Sequence, residues 1–228
     1  MYDLGKQFKF DINKSIANPE CVFKGSKYRI TVLTEGLVRL EFNENGIFDD
    51  YPTEIVWHRN LPKPNFQVNE TNSILNIRTK YFELFYRKEK SFNGGKLTPM
   101  ANLKINLLNT DKIWYYGHPE IRNFGTFAHS LEDSKLQKGL FSLDGFATID
   151  DSKTCIILEN GSIQQRNNVG IDIYVFLYNK DFYNCINDYF EITGKPMMIP
   201  RYAFGNWWCK SDYYNDFELL KIVNKFKD

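Results

Sequence analysis

The chain has 228 residues, 43% hydrophobic and 16% aromatic, enough apolar surface for a substantial core. Its 29 Lys and Arg nearly cancel 28 Asp and Glu, and no segment gathers basic residues into a stripe that could track phosphates, which argues against a nucleic-acid partner. The first ten residues are polar and no run approaches the roughly 18 apolar residues of a membrane span, so a cytoplasmic protein with no membrane partner is expected. Cys21, Cys155, Cys185 and Cys209 are scattered without a CxxC pair, and His58, His118 and His129 lack ligand spacing. Neither structural zinc nor a disulfide framework is expected, and no cofactor is called for.

In chain order, Tyr28 to Thr34 and Leu37 to Asn43 alternate apolar residues at period two (Ile30, Val32; Val38, Leu40, Phe42) around a tight Glu35-Gly36 turn, the pattern of two paired strands. The same pattern recurs in Ser73 to Thr79, Tyr81 to Lys88, Leu103 to Asn109, Thr154 to Glu159 and Ile171 to Tyr178, between Gly, Asn and Pro clusters. Such a series predicts an antiparallel β-sandwich. Trp114 to Asp151 lacks clear alternation but carries several glycines and many aromatics, marking a long ordered loop with a functional role.

After Tyr178 the period changes. Phe182, Ile186, Tyr189 and Phe190 share one helical face, Asp181 is a candidate N-cap, and Gly194 with Pro196 stops the helix. Arg201 to Cys209 is an apolar run of strand length. Asn215 to Asp228 then puts Phe217, Leu220 and Val223 on one face of a second helix, with Asp216 and Glu218 in its first turn and Lys225 and Lys227 in its last. This reads as a strand and its crossover helix, whose partner strand would lie beyond the last residue. The expected organisation is a sandwich over 1–180, a linker helix and junction over 181–200, and the start of a second domain over 201–228.

Two blocks resemble a known family: Gly139-Leu-Phe-Ser-Leu-Asp-Gly-Phe-Ala-Thr-Ile-Asp-Asp-Ser152, and Thr193-Gly-Lys-Pro-Met-Met-Ile-Pro-Arg-Tyr-Ala-Phe-Gly-Asn-Trp-Trp208. They are similar to the end of the N-terminal domain, and its junction with the barrel, in glycoside hydrolase family 31. A weaker match joins Arg29-Ile-Thr-Val-Leu-Thr34, Val38-Arg-Leu-Glu-Phe42 and Phe48-Asp-Asp-Tyr-Pro-Thr53 to the opening of the same domain. The resemblance implies a mainly β chain: a galactose-mutarotase-like sandwich followed by the truncated start of a (β/α)8 barrel. It implies a retaining α-glycosidase, α-glucosidase-like, acting on α-linked oligosaccharides with two carboxyl groups about 5 Å apart. In the family both come from later barrel strands, so no catalytic residue is carried over, and the fragment is expected to need the remainder of the barrel as its partner. A homo-oligomer is left open.

What the resemblance does carry over is sugar-binding material. Asp144 lies on the loop that resembles the N-domain loop over the barrel mouth, and a carboxylate accepts bonds from vicinal hydroxyls. Tyr213, or Tyr214 if the register slips by one, resembles the aromatic residue lining the pocket for the non-reducing sugar. The chain departs from relatives that carry Arg-Tyr-Trp after the strand, since it has Lys210-Ser211-Asp212. Of Trp207 and Trp208, alternation along a strand would turn one inward, toward ligand, and the other toward the helices.

Other carboxylates are weighed and set aside as catalysts. Asp49-Asp50 and Asp150-Asp151 are adjacent pairs whose side chains diverge along a strand, and turns are their commoner home. His118 and His129 could serve a mutarotase as general acid, but a lone His among aromatics is more often structural. Two alternative functions therefore stand beside the glycosidase fragment: a stand-alone carbohydrate-binding module and a mutarotase-like sugar epimerase.

Overall fold

The computed structural model describes residues 5–6, 9–93, 101–126, 137–166, 170–205, 207, 209 and 211–226. The chain divides into two compact units, Met1–Lys195 and Pro196–Asp228, each taken here by itself.

In the first unit, β1 (Val22–Lys24), β2 (Tyr28–Val32) and β3 (Leu37–Phe42) open one sheet. Five consecutive strands, β4 (Gln67–Glu70), β5 (Ile74–Arg78), β6 (Phe82–Arg87), β7 (Leu103–Leu107) and β8 (Ile113–Trp114), make an antiparallel meander that is the second sheet. β9 (Asn123–Thr126) pairs with β10 (Gln137–Ser142), and a turn leads to β11 (Ala147–Asp150). β12 (Ile156–Ile157) and β13 (Ile163–Gln164) form a small ladder. β14 (Ile171–Phe176) closes the first sheet, which runs β1-β2-β3-β14-β11.

Alternation decides what each face buries. Ile30, Val32, Val38, Leu40, Ile173 and Val175 point from the first sheet into one core with Leu75, Ile77, Phe82, Leu84 and Ile105 of the second. Burying each such side chain contributes about 1.5–3 kcal/mol. The β2–β3 turn needs glycine, because a Cβ at Gly36 would lie 2.4 Å from the Tyr178 ring.

The opposite face of the first sheet is also covered. Leu37, Phe176 and Tyr178 pack under a helix, α1 (Phe182–Thr193), through its buried Cys185 and Ile192, with Val56 beside them. Asp181 caps α1 by accepting from the Asn184 amide at 3.3 Å, and Gly194 ends it at φ +94°. The helix expected as a linker is therefore packed into the sandwich unit. Further along this face lies a layer of buried charge: Arg39 binds Asp172 through Nε and Nη2 (2.8 and 2.7 Å) and Arg29 grips Glu41 (2.6 and 2.8 Å). Arg166 spans Asp172 (2.7 Å) and Asp151 (3.2 Å), tying the 151–166 segment to the sheet.

The structure departs from sequence expectation in three places. The irregular stretch 114–151 holds β9 and β10, whose alternation is broken by Gly125 and Gly139, and the short β11. Thr154 to Glu159 contributes only the two residues of β12. Most consequentially, no strand forms among the described residues of 201–209. Pro200 instead starts a 3₁₀ turn, Arg201–Phe204, and a strand gains its ladder only beside a neighbour, which this segment lacks among the described residues. In the second unit α2 (Asp216–Lys225) does form, with a complete capping box between Asn215 and Glu218. No helix among the described residues is long and apolar enough to cross a membrane.

Candidate functional site

Five connections gather at one end of the sandwich, because Phe176 pairs with both Leu37 and Ala147 and Phe82 pairs with Leu107. They are the turns after β2, β5, β7 and β10 and the passage from β14 into α1. Asp144 sits in the β10–β11 turn. Gly145 follows at φ +80°, where a Cβ would come within 2.8 Å of the Asn179 Cα, so glycine is required for the turn to lie against that passage. The Asn179 amide donates to the Gly145 carbonyl at 2.8 Å, and the Asp144 amide donates to Ser142 Oγ at 3.0 Å.

The Asp144 side chain is nearly buried yet reaches a cavity of about 280 Å³ walled by Asp111, Lys112, Tyr115, His118 and Phe146. Arg122 Nη1 donates to Asp144 Oδ1 at 3.2 Å, and Lys112 Nζ lies 3.9 Å from the same oxygen. Among the described residues no hydrogen bond is made to Oδ2, which keeps acceptor capacity toward the cavity. The sequence singled out Asp144 but not Arg122 or Lys112. They are 22 and 32 residues away and join it only through the pairing of β7 with β8 and β9 with β10.

His118 stands in the same wall. Its ring meets Phe146 edge-on (4.8 Å, 88°) and Tyr115 (4.9 Å), and Nδ1 accepts from the Glu120 amide at 3.1 Å, which assigns the proton of the neutral ring to Nε2. Burial lowers its pKa against the opposing pull of Asp144 and Glu120. The imidazole is thus a neutral donor at neutral pH. Glu120 Oε2 accepts from the Thr148 amide at 3.3 Å, so the nearest carboxylate to His118 in sequence has a structural partner. His129 lies outside the described residues.

The adjacent Asp pairs are accounted for structurally. Asp150 accepts from the Ser152 amide at 3.0 Å, an Asx turn. Asp151 is fully buried, bonded to Thr53 Oγ1 (2.9 Å) and Arg166 and facing Arg59 Nη2 at 3.9 Å. Asp50 pairs with Arg29 at 2.8 Å, while the Asp49 carbonyl accepts from Arg29 and Arg39.

The remaining candidates lie in the second unit. Trp207 is exposed and its Nε1 donates to the Ala203 carbonyl at 2.7 Å. Trp207 belongs to no strand, and Trp208, the other member of the expected inward-outward pair, lies outside the described residues. Tyr213 is fully exposed and the Tyr214 ring is half-buried. The structure therefore describes Asp144 in the first unit and Trp207 and Tyr213 in the second. Among the described residues no group of three or more His, Cys, Asp or Glu is arranged to hold a metal ion.

No protein-family model matches the chain. A 51-residue stretch, 22% of the chain, is 33% identical to the isomaltosyltransferase of Sporosarcina globispora, covering 5% of that protein. In structure the chain is similar to the GH31 dextranase of Flavobacterium johnsoniae bound to isomaltotriose, with a TM-score of 0.54 and 17% identity over 90% of this chain and 30% of that one. It is similar also to the cycloalternan-forming enzyme of Listeria monocytogenes in complex with a pentasaccharide substrate, with a TM-score of 0.54 and 12% identity over 90% of this chain and 25% of that one. The chain thus spans less than a third of the length of these relatives. In its two-sheet architecture the chain has the fold of the β-sandwich that opens glycoside hydrolase family 31 enzymes such as this dextranase.

Proposed function

We propose that this chain is the N-terminal part of a retaining α-glycosidase of α-glucosidase type. In this reading it buttresses a catalytic barrel and contributes Asp144 to the binding of an α-linked oligosaccharide. The observation that supports it most is the Asp144 cavity: a carboxylate fixed through Oδ1, with Oδ2 free of hydrogen bonds among the described residues, beside the neutral His118 Nε2–H donor and the Tyr115 ring. Acceptor, donor and ring together match the alternating donor and acceptor demand of vicinal hydroxyls. The relatives' ligands, isomaltotriose and a pentasaccharide, point to the same ligand class.

Retention needs a nucleophile and an acid about 5 Å apart. In this reading both belong to the barrel, and Asp50, Asp150 and Asp151 are held by arginines or a turn. Trp207, Trp208 and Tyr213 are proposed to reach the sugar once the barrel strands are in place. Four free cysteines support a reducing, cytoplasmic compartment. Incubating the purified 228-residue chain with an aryl α-glucoside tests the assignment: no hydrolysis above a mock preparation is expected, and clear turnover would reject it.

A further inference from the structure

A second cavity of the first unit stands apart from the Asp144 site. It measures about 540 Å³, within the range of small-molecule sites, and lies between the β2–β3 turn, the β5–β6 turn and α1. Thr34, Glu35, Tyr81, Tyr178, Asp188 and Glu191 form its polar wall, with Pro62 and Pro64 on the apolar side.

The wall is unusual in its hydrogen-bond inventory. The Tyr81 hydroxyl donates to Asp181 Oδ2 at 2.7 Å, and the Tyr178 hydroxyl donates to Asp188. With the Tyr178 proton spent, Thr34 Oγ1 donates to the Tyr178 oxygen at 2.9 Å. Asn184 Nδ2 gives its hydrogens to Asp181 (2.8 Å) and to the Tyr81 oxygen (3.4 Å). Burial, followed by the bond to Asp181, pushes the Tyr81 hydroxyl up to about 12, so it keeps its proton and its bond across the physiological range. What these side chains still offer to a ligand is lone pairs. Three carboxylates line the space against one cation, Lys80, whose ammonium lies 4.9 Å over the Tyr81 ring. A cation thus already rests on the ring face.

A sugar hydroxyl must both give and receive hydrogen bonds, whereas an ammonium group only gives them. We propose that this cavity binds a small aliphatic amine carrying two or more ammonium groups. One group would be held by Glu35 and the Tyr81 ring and another by Asp188 and Glu191, at a site separate from the Asp144 cavity. The inference does not depend on the glycosidase reading, since the two cavities share no lining residue.

The test is calorimetric titration of the 228-residue chain with putrescine and with spermidine at constant ionic strength. Saturable one-site binding is expected, weakened at least fivefold by Glu35→Gln and by Glu191→Gln, two side chains outside the core. Lys80→Ala, which removes the competing cation, is expected to tighten it, and Asp144→Ala to leave it unchanged. Circular dichroism of each variant confirms that it is folded. Heat no greater than that of sodium chloride, affinity unchanged in both carboxylate variants, or displacement of the amine by maltotriose would each overturn the proposal.

Discussion

Two sets of buried carboxylates in the first unit differ in how fully they are bonded. Asp172 receives Arg39 on both oxygens and Arg166 on one, and Asp151 receives Thr53 and Arg166 on one oxygen and Thr154 on the other. Asp144 is buried to a similar degree, yet among the described residues its one hydrogen-bonded cation, Arg122, takes Oδ1, beside an open cavity. A carboxylate with both oxygens taken fastens chain segments together, whereas one that is steadied on a single oxygen is positioned for a ligand. The first set therefore governs stability and the second binding, and substitutions separate the two.

The largest effect falls on the charged layer. Arg39→Met leaves Asp172 and Glu41 short of a buried partner and is expected to cost about 4 kcal/mol, the scale for removing one member of a buried pair. A urea unfolding curve measures it, and adding Asp172→Leu should recover part of the loss. Asp172→Asn comes next, at about 2 kcal/mol near neutral pH. Burial resists the Asp172 charge, but Arg39 and then Arg166 outweigh it and hold the carboxyl well below the ordinary range. A depressed carboxyl contributes stability that is complete above the unfolded value of about 3.9 and is lost as pH falls toward the folded value. The gap between wild type and Asp172→Asn is accordingly expected to narrow as pH is lowered through that window. Arg122→Ala has the smallest effect on stability, about 0.5 kcal/mol, because its partly exposed pair with Asp144 is screened by water. A larger loss would show that the Asp144 turn also fastens the fold.

Much of this was legible in the sequence. Period two located β2, β3, β5, β6, β7 and β14, and Asp181 and Gly194 bracket α1, because alternation and capping are local properties of the chain. The charged layer was not legible. Arg29, Arg39, Glu41 and Asp172 occupy the polar positions of alternating strands, and nothing local distinguishes a polar face open to water from one covered by residues 49–59 and 151–166. Asp144 stood out through the resemblance of its loop to the N-domain loop of the family. Its partners Arg122 and Lys112 depend on strand pairing, which no local pattern encodes. The strand expected over 201–209 shows the converse: an apolar run states a preference, and the ladder that would realise it must come from a neighbouring strand.

The sugar-binding role of Asp144 is tested most directly by titrating the isotope-labelled chain with isomaltotriose and following its amide signals. Shifts are expected to concentrate at residues 111–118 and 142–146 and to be lost in Asp144→Ala, with the dispersion of the remaining spectrum unchanged. Shifts centred elsewhere, or an equal response in Asp144→Ala, would contradict the account.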